Sequence, residues 1–207
     1  MPALPVPERG VSAPPAPPIL LASTSPQRRA ILHQLGLPFE VVAPRYEEHD
    51  APDADPVELV RRHAQGKARS VAAEAGDRPV LGVDTTVVCG GRIYGKAESE
   101  EAAAEMLDAL GGATHEVVSG LCLITPGWEE LETETTRVTF RPLDARDIGA
   151  YVSSGEWQGR AGAYAIQGLG AALVERIEGD YLNIVGLPAA LLVRILVQRF
   201  PGTYGFG

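Results

Sequence analysis

A carboxylate and a lysine stand out in the stretch from residue 80 to residue 96. An apolar run over 80–83 ends on Asp84, and a second apolar run and a Gly-Gly turn separate it from Lys96. The carboxyl end of a buried strand is where α/β sheets usually place their chemistry. An aspartate after a strand is also commonly a turn residue or a helix N-cap. Taken alone, Asp84 is compatible with a catalytic and with a structural role.

A second candidate site lies at the first predicted strand-to-helix junction. A hydroxyl-rich turn containing Ser23 and Ser25 follows the apolar segment 19–22, and a proline after Ser25 fits the first turn of a helix. The free N–H groups and the positive end of the dipole make such a corner suitable for an anion. Arg28 and Arg29 either interact with a negatively charged group in front of the helix or face solvent. The corner therefore predicts an anion-binding site.

Three further features favour a site but have simpler explanations. The acidic cluster 46–50 is typical of a solvated loop, although one of its carboxylates could bind a metal ion. Lys67 lies near the buried face of a helix that is predicted to begin after Asp55 and to run to about Ala75. Its stem either passes over the core or carries the ammonium into a pocket. The loop 153–170 is rich in glycine, which is typical of a binding loop.

Composition excludes several classes of protein. The 207 residues are 45% hydrophobic and 22% charged, as in an ordinary globular domain. The net charge of −9 argues against charge-driven binding to nucleic acid or to an anionic membrane, but not against a local cationic pocket. The two cysteines and four histidines have no disulfide or metal-ligand spacing. Without an apolar span of about 18 residues or a secretory signal, the expected location is the cytoplasm.

The pattern of elements predicts one domain. Residues 1–18 are rich in proline and alanine and are expected to be a disordered tail, whereas residues 19–207 contain no linker or repeat. Strands alternate with helices and include one antiparallel pair, which predicts an α/β fold with a mixed sheet. Further strands are predicted at 39–43, 117–124, 131–140 and 171–177, and further helices after Ser99, Asp144 and Pro188.

Six segments in a fixed order resemble the Maf family of nucleoside triphosphate pyrophosphatases, once described as septum formation inhibitors. The segments are 21–29, 67–68, 82–85, 95–96, 161–168 and 185–188. The resemblance implies hydrolysis of a nucleoside triphosphate to the monophosphate and pyrophosphate with a divalent cation, Mg²⁺ or Mn²⁺. It also implies a Maf/ITPase-like fold: an elongated mixed central sheet flanked by helices, an active cleft between two lobes, and usually a homodimer.

The resemblance also implies roles for individual residues. Asp84 is the implied catalytic acid/base and, with Glu48, an implied metal ligand. The implied phosphate-binding residues are Ser23, Ser25, Arg28, Lys67 and Lys96, and the implied specificity residues are Gln27, Thr85 and Gln167.

In the family that the chain resembles, the side chains at the last three positions mark the choice of base. Thr85 with Gln167 resembles the branch that acts on dTTP and UTP, whereas the branch preferring 7-methyl-GTP carries Gln and Glu there. Two departures stand out. The pyrimidine branch often has Arg where this chain has Gln27, and Gly95-Lys96 is usually followed by Pro rather than Ala97.

The sequence is compatible with two functions, that of an enzyme and that of a non-catalytic regulator. A triphosphate carries roughly four negative charges, which Arg28, Lys67 and Lys96 with one divalent cation nearly neutralise. An enzyme would use this pocket for attack on the α-phosphorus, with Asp84 accepting a proton from water or binding the metal that activates it. A non-catalytic regulator of septation would use the same pocket to sense a nucleotide.

Overall fold

The computed structural model describes residues 16–49 and 54–206, and within these ranges the chain forms a mixed seven-stranded sheet with six α-helices. The strands are β1 Ile19–Ala22, β2 Phe39–Val42, β3 Val80–Cys89, β4 Arg92–Tyr94, β5 Thr114–Thr125, β6 Trp128–Phe140 and β7 Val174–Glu178. The helices are α1 Pro26–Gln34, α2 Pro56–Ala72, α3 Glu100–Leu110, α4 Ala145–Ser153, α5 Tyr181–Val185 and α6 Ala189–Arg199, with a 3₁₀ helix at Gly168–Leu173. The predicted α/β fold with a mixed central sheet is confirmed.

The order of the strands brings the two candidate sites together. It runs β2-β1-β3-β5-β6-β7, and β4 pairs with β3 outside this path. β1 is parallel to β2 and β3, whereas β5 is antiparallel to β3 and pairs Asp84 with Gly120 and Thr85 with Ser119. β1 and β3 are parallel neighbours. The hydroxyl-rich turn at the carboxyl end of β1 therefore lies close to Asp84 along the strand direction.

Side-chain caps fix where α1 to α4 begin, as predicted. The Ser25 hydroxyl accepts a hydrogen bond from the Arg28 amide, and the Asp55 carboxylate accepts from two amides of the first turn of α2. Ser99 and Asp144 cap α3 and α4 in the same way. Each cap satisfies donors that the first helical turn would otherwise leave unpaired.

Several predicted boundaries differ from the structure. β3 continues through Asp84 to Cys89, β5 and β6 begin at Thr114 and Trp128 rather than at 117 and 131, and β2 ends at Val42 rather than at 43. α2 ends at Ala72, before the predicted end near Ala75. The predicted strand 171–177 begins only at Val174, because its first residues belong to the 3₁₀ helix. α5 lies just after the predicted turn, where Asp180 caps it and the buried Asn183 side chain donates to the Val117 carbonyl at 3.0 Å. Short elements of this kind are fixed by tertiary contacts rather than by periodicity.

Much of the predicted tail and one acidic residue lie outside the described part of the chain. These are residues 1–15 of the segment 1–18 and Asp50 of the cluster 46–50. Ala16 packs against the core, and the Pro17 carbonyl accepts a hydrogen bond of 2.9 Å from the Tyr204 hydroxyl. In the ranges 16–49 and 54–206, no helix combines the length and the apolarity needed to cross a bilayer.

Two glycines let α2 lie directly on the sheet. A Cβ at Gly82 of β3 would be 2.2 Å from the Ala64 carbonyl oxygen, and one at Gly120 of β5 would be 2.3 Å from the Val60 carbonyl oxygen. Both distances are far shorter than any van der Waals contact, so the helix could not approach so closely over larger residues. The approach holds Lys67, one turn beyond Ala64, over the sheet beside Asp84.

We expect Gly82→Ala to lower the free energy of unfolding by about 3 kcal/mol, because the added methyl group meets rigid helix backbone. Chemical denaturation of the two proteins measures the difference.

Gly149→Ala is the matched control for this experiment. Gly149 lies in α4, and apart from its chain neighbours and the helix backbone no atom of residues 16–49 or 54–206 comes within 4 Å of its Cβ position. This change should raise the stability by up to about 1 kcal/mol, since alanine is the better helix former. Equal effects of the two substitutions would contradict the proposed helix–sheet contact.

Candidate active site

A cavity of about 350 Å³ lies between the turn after β1, the middle of β3 and the glycine-rich loop. This is the size of a small-molecule site. Among the described residues that line it, four are cationic: Arg28, Lys67, Lys96 and Arg160. The polar wall also contains Glu48 and the hydroxyl-bearing residues Ser23, Thr24, Ser25 and Thr85, and the apolar wall contains Val87, Val117, Tyr164, Ile184 and Val185.

The Lys67 ammonium is held between two carboxylates at the edge of this cavity. Its Nζ lies 2.6 Å from Asp84 Oδ1 and 2.7 Å from Glu48 Oε1. Lys67 is only 7% exposed, and the Asp84 side chain is 13% exposed. The structure therefore supports the pocket interpretation of Lys67 rather than a stem that merely passes over the core. It also pairs Asp84 with a lysine, but with Lys67 rather than directly with Lys96.

Glu48 is ionised in this arrangement. Partial burial by itself raises the pKa of its carboxyl group. The hydrogen bond and charge of Lys67, with smaller contributions from His63 and Lys96, outweigh burial and leave the pKa below its ordinary value. The site thus contains a carboxylate that stays charged at neutral pH and lines a cavity with four cationic residues in its wall.

Arg28 lies in the first turn of α1, and three hydrogen bonds to residues outside the helix fix its guanidinium. Its Nε donates to the Gly186 carbonyl at 2.9 Å, its Nη1 to the Ser23 hydroxyl at 3.1 Å and its Nη2 to the Thr85 hydroxyl at 3.4 Å. The Thr85 hydroxyl lies 2.8 Å from that of the buried Ser119. Burial lowers the pKa of Arg28, while the charges of Asp84 and Glu48 raise it. An arginine held in this way is oriented before any anion arrives.

The apolar wall is held by a buried histidine. His115 Nε2 lies 2.9 Å from the Tyr164 hydroxyl, and both rings pack edge-on against Phe140. Burial lowers the pKa of His115 to about 4 and raises the pKa of Tyr164 far above its usual value. Both groups are therefore neutral at pH 7, and they form a rigid, uncharged surface.

Most of the predicted site residues are brought together. Eight of them line the cavity: Ser23, Ser25, Gln27, Arg28, Glu48, Lys67, Thr85 and Lys96. Asp84 lies directly behind Lys67 and does not itself line the cavity. Gln167 is exposed at the start of the 3₁₀ helix and lies outside the lining, as does the exposed Arg29.

Sequence reasoning assigned no role to several residues of the cavity wall, among them a cation and an aromatic residue. Arg160 and Tyr164 both belong to the loop 153–170, which the sequence marked as functional without assigning a role to either. A cation directly after Gly159 in such a loop was the available signal.

The carboxylates suit a metal ion that arrives with a substrate. In the stretches 16–49 and 54–206, no cluster of three or more His, Cys, Asp or Glu residues could enclose a metal alone. Asp84 and Glu48 nevertheless converge on one point, the Lys67 ammonium. Mg²⁺ is commonly bound by one or two carboxylates together with substrate phosphates and water. The residues present fit this second pattern.

Comparison with known proteins agrees with the mixed α/β fold. A family model described as Maf-like protein matches residues 18–199. The chain belongs to the Maf family. Maf relatives named dTTP/UTP pyrophosphatase include one from Deinococcus radiodurans, 45% identical over 93% of this chain and 97% of its own length. Another, from Moorella thermoacetica, is 47% identical over 86% of this chain and 93% of its own length. The resemblance drawn from the six segments is confirmed.

The lowered pKa of His115 predicts a pH-dependent stability. The pKa is 6.5 for an ordinary histidine and about 4 here, so the unfolded chain takes up this proton first as the pH falls. The stability contribution is complete above pH 6.5, declines between pH 6.5 and 4, and is lost below pH 4.

Between pH 7 and pH 4, the free energy of unfolding should decrease in both proteins. We expect the decrease in His115→Gln to be roughly 3 kcal/mol smaller than in the wild type. Urea unfolding at several pH values measures both slopes. The matched control is the substitution of the exposed His33 by Gln, which should keep the wild-type slope. Parallel curves for all three proteins would contradict a buried, neutral His115.

Proposed function

We propose that this Maf protein hydrolyses dTTP and UTP to the nucleoside monophosphate and pyrophosphate. The observation that carries the proposal is the buried Asp84–Lys67 pair at the edge of a cavity with cationic walls. The relatives named dTTP/UTP pyrophosphatase, each similar over most of the chain, support the same substrate class. The activity is that of a hydrolase acting on an acid anhydride.

The cations bind the polyphosphate before any chemistry takes place. Arg28 offers a guanidinium already oriented by Ser23 and Thr85, and Lys67 and Lys96 act as point charges. At the start of α1, the backbone amide of Gln27 adds a neutral donor. The Ser25 hydroxyl already donates to Gln27 Oε1 and accepts from the Arg28 amide. Phosphate oxygens compete with Asp84 for the Lys67 ammonium, which frees the carboxylate to act. The same cations stabilise the charge that accumulates on the leaving pyrophosphate.

Asp84 is the proposed base in the hydrolytic step. Its Oδ1 accepts from Lys67, and the described residues provide no hydrogen bond to Oδ2. Oδ2 takes a proton from the attacking water as the water oxygen bonds to the α-phosphorus. The bond from that phosphorus to the bridging oxygen breaks, and pyrophosphate leaves. A divalent cation held by Asp84, Glu48 and the phosphates would lower the pKa of the water and neutralise charge.

Base recognition is assigned first to Gln27 and Thr85, which line the cavity. The Ser25 hydroxyl donates to Gln27 Oε1 at 3.1 Å, so the amide NH₂ is left to donate to a pyrimidine carbonyl. Tyr164 and Val117 offer apolar contact to the ring. Gln167 keeps its proposed specificity role only if the loop carries it inward when the nucleotide binds.

A homodimer and a cytoplasmic location remain predictions. Light scattering on the purified protein tests the first, and cell fractionation tests the second. Neither is needed for the hydrolytic step, since the residues assigned to it come from one chain.

We expect the purified protein to release equal amounts of dTMP and pyrophosphate from dTTP with Mg²⁺. Asp84→Asn should lower kcat by about 100-fold or more, because the amide cannot accept the proton from water. The measurement is a quantitative assay of pyrophosphate under saturating substrate.

The matched control is Asp108→Asn, which alters an exposed carboxylate on α3. It should retain the wild-type kcat, and thermal melting should show that both variants fold. Wild-type turnover in Asp84→Asn would remove that residue from the mechanism. Binding of dTTP with no pyrophosphate from the wild type would instead favour a nucleotide sensor.

We expect activity to disappear in EDTA and to return with Mg²⁺ or Mn²⁺. Glu48→Gln should raise the Mg²⁺ concentration that gives half-maximal activity by about tenfold or more, because one charged oxygen ligand is lost. A titration of initial rates against metal concentration measures this shift.

The neighbouring Glu47→Gln is the matched control, since the Glu47 side chain is 93% exposed. It should leave the metal dependence unchanged. Full activity in EDTA, or an equal shift in both variants, would contradict the proposed metal site.

A further inference from the structure

We propose that Arg160 is a further substrate-binding residue, which grips the polyphosphate through its guanidinium. This inference rests on the proposed function and adds a residue to its phosphate site. Arg160 lines the same cavity as Arg28, Lys67 and Lys96.

The first observation is an unpaired donor in the cavity wall. Arg160 Nε is buried and finds no hydrogen-bond acceptor among the residues that the structure describes. A buried N–H without an acceptor is unfavourable, and more so on a charged group. By contrast, Arg28 Nε is satisfied by the Gly186 carbonyl. A phosphate oxygen in the cavity would provide the acceptor that Arg160 lacks.

The second observation is that the backbone of Arg160 is fixed beside Lys96. Lys96 and Ala161 form an antiparallel bridge, and the Gly162 amide donates to the carbonyls of Tyr94 and Gly95, both at 3.0 Å. The Arg160 amide itself donates to the Trp157 carbonyl at 3.1 Å. The backbones of two cationic residues from different parts of the chain are thus fixed next to each other. Neither backbone has to be ordered when the substrate binds, which lowers the entropic cost of binding.

The third argument is the balance of charge. Arg28, Lys67 and Lys96 oppose Glu48 and Asp84, which leaves one net positive charge from these five residues. A divalent cation raises this to three, whereas a triphosphate carries roughly four negative charges. Arg160 supplies the missing charge. Its guanidinium also accommodates two phosphate oxygens at once, which an ammonium does not.

The test compares inorganic triphosphate binding in three proteins by titration calorimetry. Arg160→Gln should weaken binding by about 10-fold to 100-fold, the range expected for one charge-assisted hydrogen bond. The affinity of Arg160→Lys should lie between those of the wild type and Arg160→Gln, because lysine keeps the charge but cannot donate two parallel hydrogen bonds as a guanidinium does. Arg146→Gln is the matched control, since Arg146 is exposed on α4 and does not line the cavity. It should bind like the wild type.

A second readout separates contact with phosphate from a structural role. Arg160→Gln should raise KM for dTTP and UTP by similar factors and leave the affinity for thymidine, which has no phosphate, unchanged. Melting temperatures establish that each variant folds, and the lysine variant decides the matter if the glutamine variant does not. Triphosphate binding within twofold of the wild type in a folded variant would overturn the proposal. So would a loss of thymidine affinity alone.

The two proposals fail in different ways. If the wild type bound inorganic triphosphate but hydrolysed no nucleotide, the proposed function would fail, while the comparison of the Arg160 variants would still be decisive. If the wild type hydrolysed dTTP and Arg160→Gln did so with unchanged KM, Arg160 would be excluded and the proposed function would stand.

Discussion

The close contact between α2 and the sheet is the constraint on which the site depends. Gly82 and Gly120 leave room for the helix backbone, because a methyl group at either position would overlap a carbonyl oxygen of α2. Only at this separation does the short distance between Lys67 and Asp84 arise from two well-packed elements rather than from a flexible loop. A wider gap would let water between the two charges and weaken their interaction. The packing of small residues therefore sets the electrostatics of the site.

The ion pairs of Lys67 favour the binding of an anion more than they favour the folded state. Taking an ammonium and a carboxylate out of water costs several kcal/mol per ion, and their attraction only partly recovers it. Lys67 makes two short ion pairs and still lines the cavity, so it remains within reach of an incoming anion. The protein as a whole carries a net charge of −9. A locally positive cavity in an acidic protein binds a small polyphosphate while the surrounding surface repels larger polyanions.

The glycine-rich loop joins the two halves of the cavity. It contributes the cation Arg160 to the polar wall and Tyr164 to the apolar wall, and the buried His115 fixes the latter. Ala163 adopts a positive φ of 55° between them, a conformation that costs a non-glycine residue energy and that its burial helps to maintain. Glu156 ties the end of the loop to the backbone amides of Leu169 and Gly170. One loop thus supplies contacts suited to a phosphate and to a base.

The sequence by itself determined the longer elements, the caps of α1 to α4 and the family, because periodicity, capping residues and ordered motifs are properties of neighbouring residues. It also indicated most of the cavity, including Arg28 and Lys67. Tertiary structure decided which side chains meet: that Asp84 lies behind Lys67, that Gln167 stays outside the cavity, and that Arg160 Nε has no acceptor within the described part of the chain. These features depend on strand register and on the distance between packed elements, which no local pattern encodes.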